Sequence, residues 1–238
     1  EQYEYYEYIM KQRLTLSMCI LAAASALNAQ TDDQYRMEIG AGAGLMSYQG
    51  DFNGSIMKNQ QPMASLVLRR IWSPYMGLKF SGSYGKLKGT SKDVKTYYPE
   101  LKDNPYEFSR SLVDVSAVYE YNFWPYGTGR DYRGAKRLTP FAFVGVGATF
   151  ASGGDADNCF TANMPIGLGV KYKIGPRLNL GVEWAEHFSL SDNLDGKKDP
   201  YGIESTGLFK NTDCYSTLQI TLTYSFSAKC RTCHNEDE

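Results

Sequence analysis

The feature of this sequence that most constrains its fold is the alternation of apolar and polar residues in eight separate segments. In the first segment, RMEIGAGAGLMSY (36–48), Met37, Ile39 and Leu45 lie on one face, whereas Glu38 and three glycines lie on the other. A period of two residues is typical of a β-strand with one apolar face. The other segments cover residues 64–72, 76–86, 111–123, 139–151, 164–174, 177–190 and 217–226. We therefore predict an all-β protein.

The lengths of these segments and of their connections indicate a barrel. Most segments contain about 10 residues, which a tilted strand needs to cross a bilayer. Their number is even, and tight connections such as SPY and GPR alternate with long polar ones. One connection, WPYGTGRDYRGAKRL, is longer than a periplasmic turn requires. We predict an eight-stranded antiparallel transmembrane β-barrel over residues 30–226, with short periplasmic turns and long extracellular loops.

A soluble lipocalin-like barrel or a β-sandwich would also alternate, but with its apolar face inward. Two features favour the membrane instead. Charged residues lie in the middle of the polar faces, and aromatic residues gather near strand ends, as in the interfacial girdles of membrane barrels. The aromatic residues concerned are Trp72, Tyr75, Phe123, Trp124, Tyr126, Tyr224 and Phe226. The sequence thus predicts a location in the cell outer membrane, in contact with the lipid bilayer.

The segment MKQRLTLSMCILAAASALNAQ indicates export. It has a basic start, an apolar run from Leu14 to Leu27 and small residues near Ala29, as in a secretory signal peptide, here predicted over 10–29. The apolar run is shorter than the roughly 20 residues that a membrane anchor needs. We expect the acidic residues 1–9 to be a non-native or mis-started extension. Residues 227–238 are predicted to be a periplasmic tail.

Cysteines that remain after removal of the signal are candidates for disulfides in an oxidising compartment: Cys159, Cys214, Cys230 and Cys233. Cys159 and Cys214 stand in two long loops and could bridge them. The tail sequence CRTCH also matches the C-x-x-C-H motif of c-type haem attachment. A polar tail supplies no apolar haem pocket, so we favour a Cys230–Cys233 disulfide or reactive dithiol, then a metal or partner contact, and predict no cofactor.

Six charged residues on the polar faces are expected to meet inside the barrel: Glu38, Lys79, Asp114, Lys171, Lys173 and Glu183. Eight strands enclose an interior that side chains can just fill. We interpret these charges as an internal salt-bridge network, with a solute or proton path as the alternative. His187 near Glu183 leaves a lipid-modifying hydrolase open, but no catalytic or metal-binding signature is present, and we predict no enzyme. A net charge of -1 gives no reason to expect nucleic acid.

Four stretches resemble one known family: EIGAGAGLMSYQGDFN (38–53), NFWPYG (122–127), MPIGLGVKYKI (164–174) and EWAEHFSLSDNLD (183–195). They are similar to PorG-type outer-membrane β-barrels of Bacteroidota, in the same order and over most of the chain after the signal. The resemblance implies a non-enzymatic component of the type IX secretion system. Its implied partners are a PorK-like lipoprotein and a PorN-like protein, whose periplasmic ring it anchors to the outer membrane. The C-x-x-C-H tail matches no pattern of that family.

A basic segment in the long periplasmic connection is a candidate docking surface for such a ring: Arg130, Arg133, Lys136 and Arg137. A solvated turn near lipid headgroups would have the same composition. The alternative to a secretion component is a small OmpA/OmpW-like barrel for solute passage or ligand binding.

Overall fold

The computed structural model describes residues 35–49, 59–90, 107–127, 135–153, 158–190 and 213–228. They form eight β-strands: β1 (Tyr35–Gln49), β2 (Gln61–Ile71), β3 (Met76–Thr90), β4 (Glu107–Asn122), β5 (Leu138–Ser152), β6 (Cys159–Lys173), β7 (Leu178–Ser189) and β8 (Cys214–Ala228). Each strand pairs antiparallel with the next, and β8 pairs with β1, so the sheet closes into a barrel. The predicted fold class is confirmed. No helix within the described ranges is long and apolar enough to cross a membrane.

Short connections lie at one end of the barrel. Residues 72–75 join β2 to β3, where the Trp72 amide donates to the Met76 carbonyl at 3.1 Å, and residues 174–177 join β6 to β7. Both chain ends of the barrel lie here too, because Tyr35 pairs with Ala228. Since outer-membrane barrels place their short turns in the periplasm, this is the periplasmic end.

Arg177, in the turn between β6 and β7, links β1 to β8 at the position where these two strands close the barrel. Its Nε donates to the Tyr35 hydroxyl at 2.8 Å and its Nη1 to the Tyr224 hydroxyl at 2.9 Å. The guanidinium also lies over the Tyr35 ring, 5.0 Å from the centroid. The hydrogen bonds to Tyr224 and Tyr35 hold the pKa of Arg177 above its ordinary value, so it remains a cation.

The outer surface of the barrel is apolar. Leu66 is 71% exposed, Val146 69% and Ile220 57%, and the outward positions around them are also aliphatic or aromatic. At the periplasmic edge of this apolar band, four aromatic side chains are exposed, as the sequence predicted: Trp72, Tyr75, Phe123 and Trp124. A closed barrel that is apolar outside and polar inside is suited to lipid on its outer face. The protein is therefore an outer-membrane β-barrel.

The prediction that Tyr126 belongs to the aromatic girdle is wrong. It is only 4% exposed and its hydroxyl donates to Asn179 Oδ1 at 2.9 Å inside the barrel. The reason is that the long β4–β5 connection folds back, with a bridge between Tyr126 and Lys136. Tyr126 therefore closes the periplasmic mouth of the lumen rather than facing lipid.

The polarity of the two faces inverts near the extracellular end of several strands. On β3, Lys86 and Lys88 point outward and Leu87 points inward, opposite to the pattern nearer the periplasm. The inward side chains there form an apolar cluster: Met46, Tyr48, Met63, Leu87, Phe108, Leu112, Ala151, Cys159 and Tyr215. The strands accordingly extend past their predicted limits, with β3 ending at Thr90 and β4 starting at Glu107.

Two lumen phenylalanines occupy space that glycines leave open. A Cβ atom added to Gly169 would lie 2.6 Å from Phe141 Cε1, and one added to Gly167 would collide with the ring of Phe143. The two rings stack with centroids 5.8 Å apart. The glycines on β6 thus allow two aromatic rings from β5 to fill the narrow interior.

Candidate functional site

The centre of the lumen is organised by Arg69, a residue that the list of predicted lumen charges omits. Its Nε donates to Glu120 Oε2 at 2.7 Å, its Nη2 contacts Glu183 Oε1 at 3.4 Å, and its Nη1 donates to Glu38. Arg69 is 4% exposed and the three carboxylate side chains are buried as well. Because a guanidinium presents five N–H donors in a planar fork, one arginine can serve several acceptors at once.

Two lysines complete this network. Lys79 Nζ lies 2.6 Å from Glu183 Oε2 and 3.6 Å from Glu120 Oε1. Lys171 Nζ lies 2.6 Å from Glu120 Oε2 and 3.2 Å from Asn122 Oδ1. We call the set of Glu38, Arg69, Lys79, Glu120, Lys171 and Glu183 the charge network; it holds three cations and three carboxylates.

Aromatic rings and neutral side chains enclose the charge network. Lys79 Nζ is 4.4 Å from the centroid of the Phe143 ring, and Lys171 Nζ is 4.1 Å from that of Phe141, both within cation–π range. Gln219 donates to Glu183 at 3.0 Å and Thr223 to Glu38 at 3.2 Å. Buried charges are tolerated only when they are paired and hydrogen-bonded, and this arrangement meets both conditions.

A second polar group, nearer the extracellular end, centres on Asp114. Its Oδ2 accepts hydrogen bonds from the Thr149 hydroxyl at 3.1 Å and the Tyr215 hydroxyl at 2.9 Å, and Asn163 also donates to it. All four side chains are buried. Asp114, predicted as part of the same charge network, is therefore held separately by neutral donors.

His187 packs against this second group. Its ring stacks on Tyr215 with centroids 4.4 Å apart, and its Nε2 lies 3.4 Å from the Thr217 hydroxyl. Its Nδ1 is buried and has no hydrogen-bond partner among the described residues. A general base needs an accessible substrate and usually an orienting carboxylate. Within the described part of the chain, no carboxylate hydrogen-bonds to His187, and the lumen encloses it.

Lys173, the sixth predicted lumen charge, lies at the periplasmic mouth. Its Nζ is 3.2 Å from Asn179 Oδ1 and 5.6 Å from the centroid of the Tyr126 ring. Burial raises the pKa of the Tyr126 hydroxyl well above its ordinary value, so Tyr126 stays a neutral donor to Asn179. The lumen is thus filled at three levels: the mouth, the charge network and the Asp114 group.

Two cavities between these levels, both lined by described residues, are small. One of about 20 Å³ lies between the charge network and the Asp114 group, and it is lined by Ser65, Ser81, Ser116 and His187 among others. Another of about 10 Å³ lies beside Arg69 and Tyr126. Spaces of this size hold about one water molecule. They are far smaller than the roughly 300–1,000 Å³ of a small-molecule pocket.

The predicted lumen residues therefore divide into two sets. The structure brings Glu38, Lys79, Lys171 and Glu183 together in the charge network, whereas Asp114 and Lys173 lie apart from it. Arg69 and Glu120 were missed as network members. The signal was present, because both occupy polar positions of alternating strands, where a lumen residue is expected.

The two cysteines within the described ranges lie on different faces of the barrel wall. Cys159, on β6, is buried and faces the lumen, whereas Cys214, on β8, is half-buried and faces outward. No disulfide joins them in this structure. Side chains that point apart cannot be bridged without backbone movement, so a Cys159–Cys214 bridge is disfavoured. Cys230 and Cys233 lie outside the described residues, so a disulfide between them stays a prediction.

The basic segment is described in part. Arg130 and Arg133 lie outside the described residues; Lys136 and Arg137 are exposed at the periplasmic end. Lys136 Nζ lies 4.7 Å from the centroid of the Trp124 ring. The predicted signal peptide (10–29) and the C-x-x-C-H tail also lie outside the described residues. Within the described ranges, no group of three or more His, Cys, Asp or Glu residues could hold a metal ion.

These features define the class of protein as an eight-stranded outer-membrane β-barrel with a filled, charge-paired lumen. The chain belongs to the family described as "Domain of unknown function (DUF6089)", which matches residues 11–235. No curated protein matches the chain.

Several solved structures are similar in fold. Neisserial surface protein A (NspA) is 15% identical, with 80% of this chain and 97% of that chain covered and a TM-score of 0.46. Ail of Yersinia pestis, in complex with a heparin analogue, is 10% identical, with 82% and 100% covered and a TM-score of 0.44. OprG of Pseudomonas aeruginosa is 11% identical, with 82% and 98% covered and a TM-score of 0.43.

Proposed function

We propose that this barrel is a non-enzymatic component of a type IX secretion system that anchors a periplasmic ring of PorK-like and PorN-like proteins to the outer membrane. The observation that carries the proposal is the filled lumen. A barrel whose described residues leave no interior path for solutes would act through the surfaces that it presents at its two ends. The resemblance of its sequence to PorG-type barrels supplies the identity of the partners.

Among the described residues, the filled lumen speaks against one form of the OmpA/OmpW-like alternative, the passage of solutes through the barrel or their binding inside it. A solute would have to displace Arg69 from three carboxylates, two of which are also held by lysines. Breaking a buried ion pair by removing one partner costs about 3–5 kcal/mol, so a thermally opened path would be rare. The cavities of about 20 and 10 Å³ are also too small for an organic ligand.

The periplasmic end carries the features that suit docking. Lys136 and Arg137 are exposed there. Charged residues at the rim of an interface chiefly set the rate and specificity of association. Lys136 is supported by its contact with the Trp124 ring, so its charge has a defined position next to the aromatic girdle. A negatively charged surface on the ring lipoprotein would complement this region.

Affinity purification of the tagged barrel from gently solubilised outer membranes tests the proposal. We expect ring lipoprotein and its partner to co-purify in constant ratio. The variant Lys136→Glu/Arg137→Glu should lower their recovery, and adding Arg130→Glu/Arg133→Glu should lower it further. The matched control is Lys86→Glu/Lys88→Glu, which reverses two exposed charges at the opposite end and should leave recovery unchanged.

Absence of the ring proteins from a purification that yields intact wild-type barrel would contradict the proposed function. Equal recovery with the periplasmic variants and with wild type would contradict the docking surface alone.

A further inference from the structure

The outward face of β3 and β4 changes character at a defined height. Up to Tyr84 on β3 and Val113 on β4, outward side chains are apolar and exposed. The next outward residues are Lys86 and Lys88, which pair in register with Ser111 and Ser109. On the adjacent β5, Ser152 pairs with Ser111. Two ammonium groups and three hydroxyl groups thus form one surface, which we call the β3–β5 polar patch.

The height of this patch matches the edge of the hydrocarbon layer. Strands that rise about 3.4 Å per residue and tilt by about 40° gain about 20 Å of height from Met76 to Tyr84. Lys86 lies about 5 Å higher, and the apolar band of outer-membrane barrels is about 25 Å tall. At the same level, Leu87 points inward and joins the apolar lumen cluster. Lys86 and Lys88 therefore project sideways at the level of lipid headgroups on the extracellular side.

Neither lysine has a carboxylate partner among the described residues. No hydrogen bond or ion pair joins Lys86 or Lys88 to a described residue, although both are exposed. The outward carboxylate Glu107 lies opposite Thr90, two residues farther from the apolar band. Alternate residues of a strand are about 6.8 Å apart, so a single phosphate group can lie between the two ammonium groups. The hydroxyl groups of Ser109 and Ser111 on β4 can donate further hydrogen bonds to the phosphate oxygens.

We propose that the β3–β5 polar patch binds the phosphate headgroup of an anionic glycolipid of the outer leaflet, with the acyl chains of that lipid against Tyr84 and Val113. Lysine binds phosphate as a compact point charge, and basic clusters beside a membrane-spanning segment select anionic lipids. The position of the patch directly above lipid-exposed residues favours a membrane lipid over a soluble anion.

Native mass spectrometry of the detergent-solubilised barrel, titrated with phosphorylated lipid A, tests this proposal. Wild type is expected to retain bound lipid A, and Lys86→Gln/Lys88→Gln to bind it about tenfold more weakly or worse. Dephosphorylated lipid A should bind both proteins equally weakly. Arg70→Gln, which removes an outward charge at the periplasmic end of β2, is the matched control and should bind as wild type does.

Three outcomes would overturn the proposal: equal affinity of wild type and the double variant for lipid A, equal loss of affinity in Arg70→Gln, or equal binding of dephosphorylated and phosphorylated lipid A by wild type. Because both lysines are exposed and unpaired, the double variant should fold as wild type does, and the gel shift of unheated barrel verifies this. The proposal is independent of the periplasmic ring, since the patch lies at the other end of the barrel.

Discussion

Arg69 donates to three glutamates from three of its nitrogens, so replacing it changes charge balance as well as packing. Its loss would leave three carboxylates facing only Lys79 and Lys171. Leaving a buried carboxylate uncompensated is more costly than removing a whole ion pair. The neighbouring Arg70 is exposed on the outer face and offers a control with the same side chain.

We predict that Arg69→Met lowers the free energy of unfolding by about 3–5 kcal/mol. Arg69→Lys should have an intermediate effect, because it keeps the charge but loses the planar fork. Arg70→Met should change stability by less than about 1 kcal/mol. Urea unfolding in detergent micelles, followed by tryptophan fluorescence, measures all three. Equal stability of Arg69→Met and Arg70→Met would rule out the central role of Arg69.

Gly169 permits a second test at the level of single residues. A Cβ atom there would lie 2.6 Å from both Phe141 Cε1 and the Val182 carbonyl oxygen, whereas one added to Gly82 meets nothing within 4 Å. We expect Gly169→Ala to cost about 1–3 kcal/mol through overpacking. Gly82→Ala should be neutral or stabilising by up to about 1 kcal/mol, because alanine restricts the unfolded chain. Urea unfolding in detergent micelles measures both effects. An unchanged free energy of unfolding in Gly169→Ala would contradict the tight fit of the Phe141 ring.

The sequence predicts which side chains enter the lumen, but not which ones touch. Alternation places Arg69 and Glu120 on polar faces, yet their contact joins β2 to β4 across the interior. Such contacts depend on the register and tilt of every strand between them. The separation of Asp114 from the charge network has the same origin, because its height in the barrel follows from register.

At the scale of an element, the β4–β5 connection does more than turn the chain. It inserts Tyr126 into the periplasmic mouth, where the hydroxyl contacts Asn179 and the ring lies beside Lys173. We predict that Tyr126→Ala speeds amide hydrogen exchange at the adjacent ends of β6 and β7, because water gains access from the periplasm. Tyr126→Phe, which loses only the hydrogen bond, should lower the free energy of unfolding by about 1 kcal/mol.

Hydrogen exchange with peptide-level mass spectrometry over residues 171–180 measures the first effect. Phe123→Ala, which removes an exposed girdle aromatic from the same connection, is the control. If Tyr126→Ala and Phe123→Ala gave the same exchange in this region, Tyr126 would not be what closes the mouth.

Strand existence was predictable and strand ends were not, for a physical reason. Alternation reveals a strand of this barrel where apolar residues face outward, and they do so only within the hydrocarbon layer. Beyond it the outward face contacts water or headgroups, so Lys86 and Lys88 point outward while Leu87 and Phe108 pack inward. Backbone pairing continues across this inversion to Thr90 and Glu107. Strand limits predicted from alternation with apolar residues always on the outer face therefore fall short of the true strand ends. The prediction that Tyr126 belongs to the aromatic girdle is wrong for a related reason. Composition does not show that the β4–β5 connection folds back toward the lumen.

At the scale of the whole molecule, the barrel combines a lipid-facing exterior with an interior that side chains fill at three levels. The proposed function requires a barrel that does not conduct. Buried contacts such as those of Arg69 with Glu120 and of Lys79 with Glu183 close its interior.

Single-channel recording of the purified barrel in planar lipid bilayers tests that claim most directly. The filled lumen predicts no discrete conductance steps for wild type. A general porin reconstituted in the same bilayers is the positive control, because it shows that the assay detects an open barrel. Reproducible ohmic steps from wild type would contradict the account.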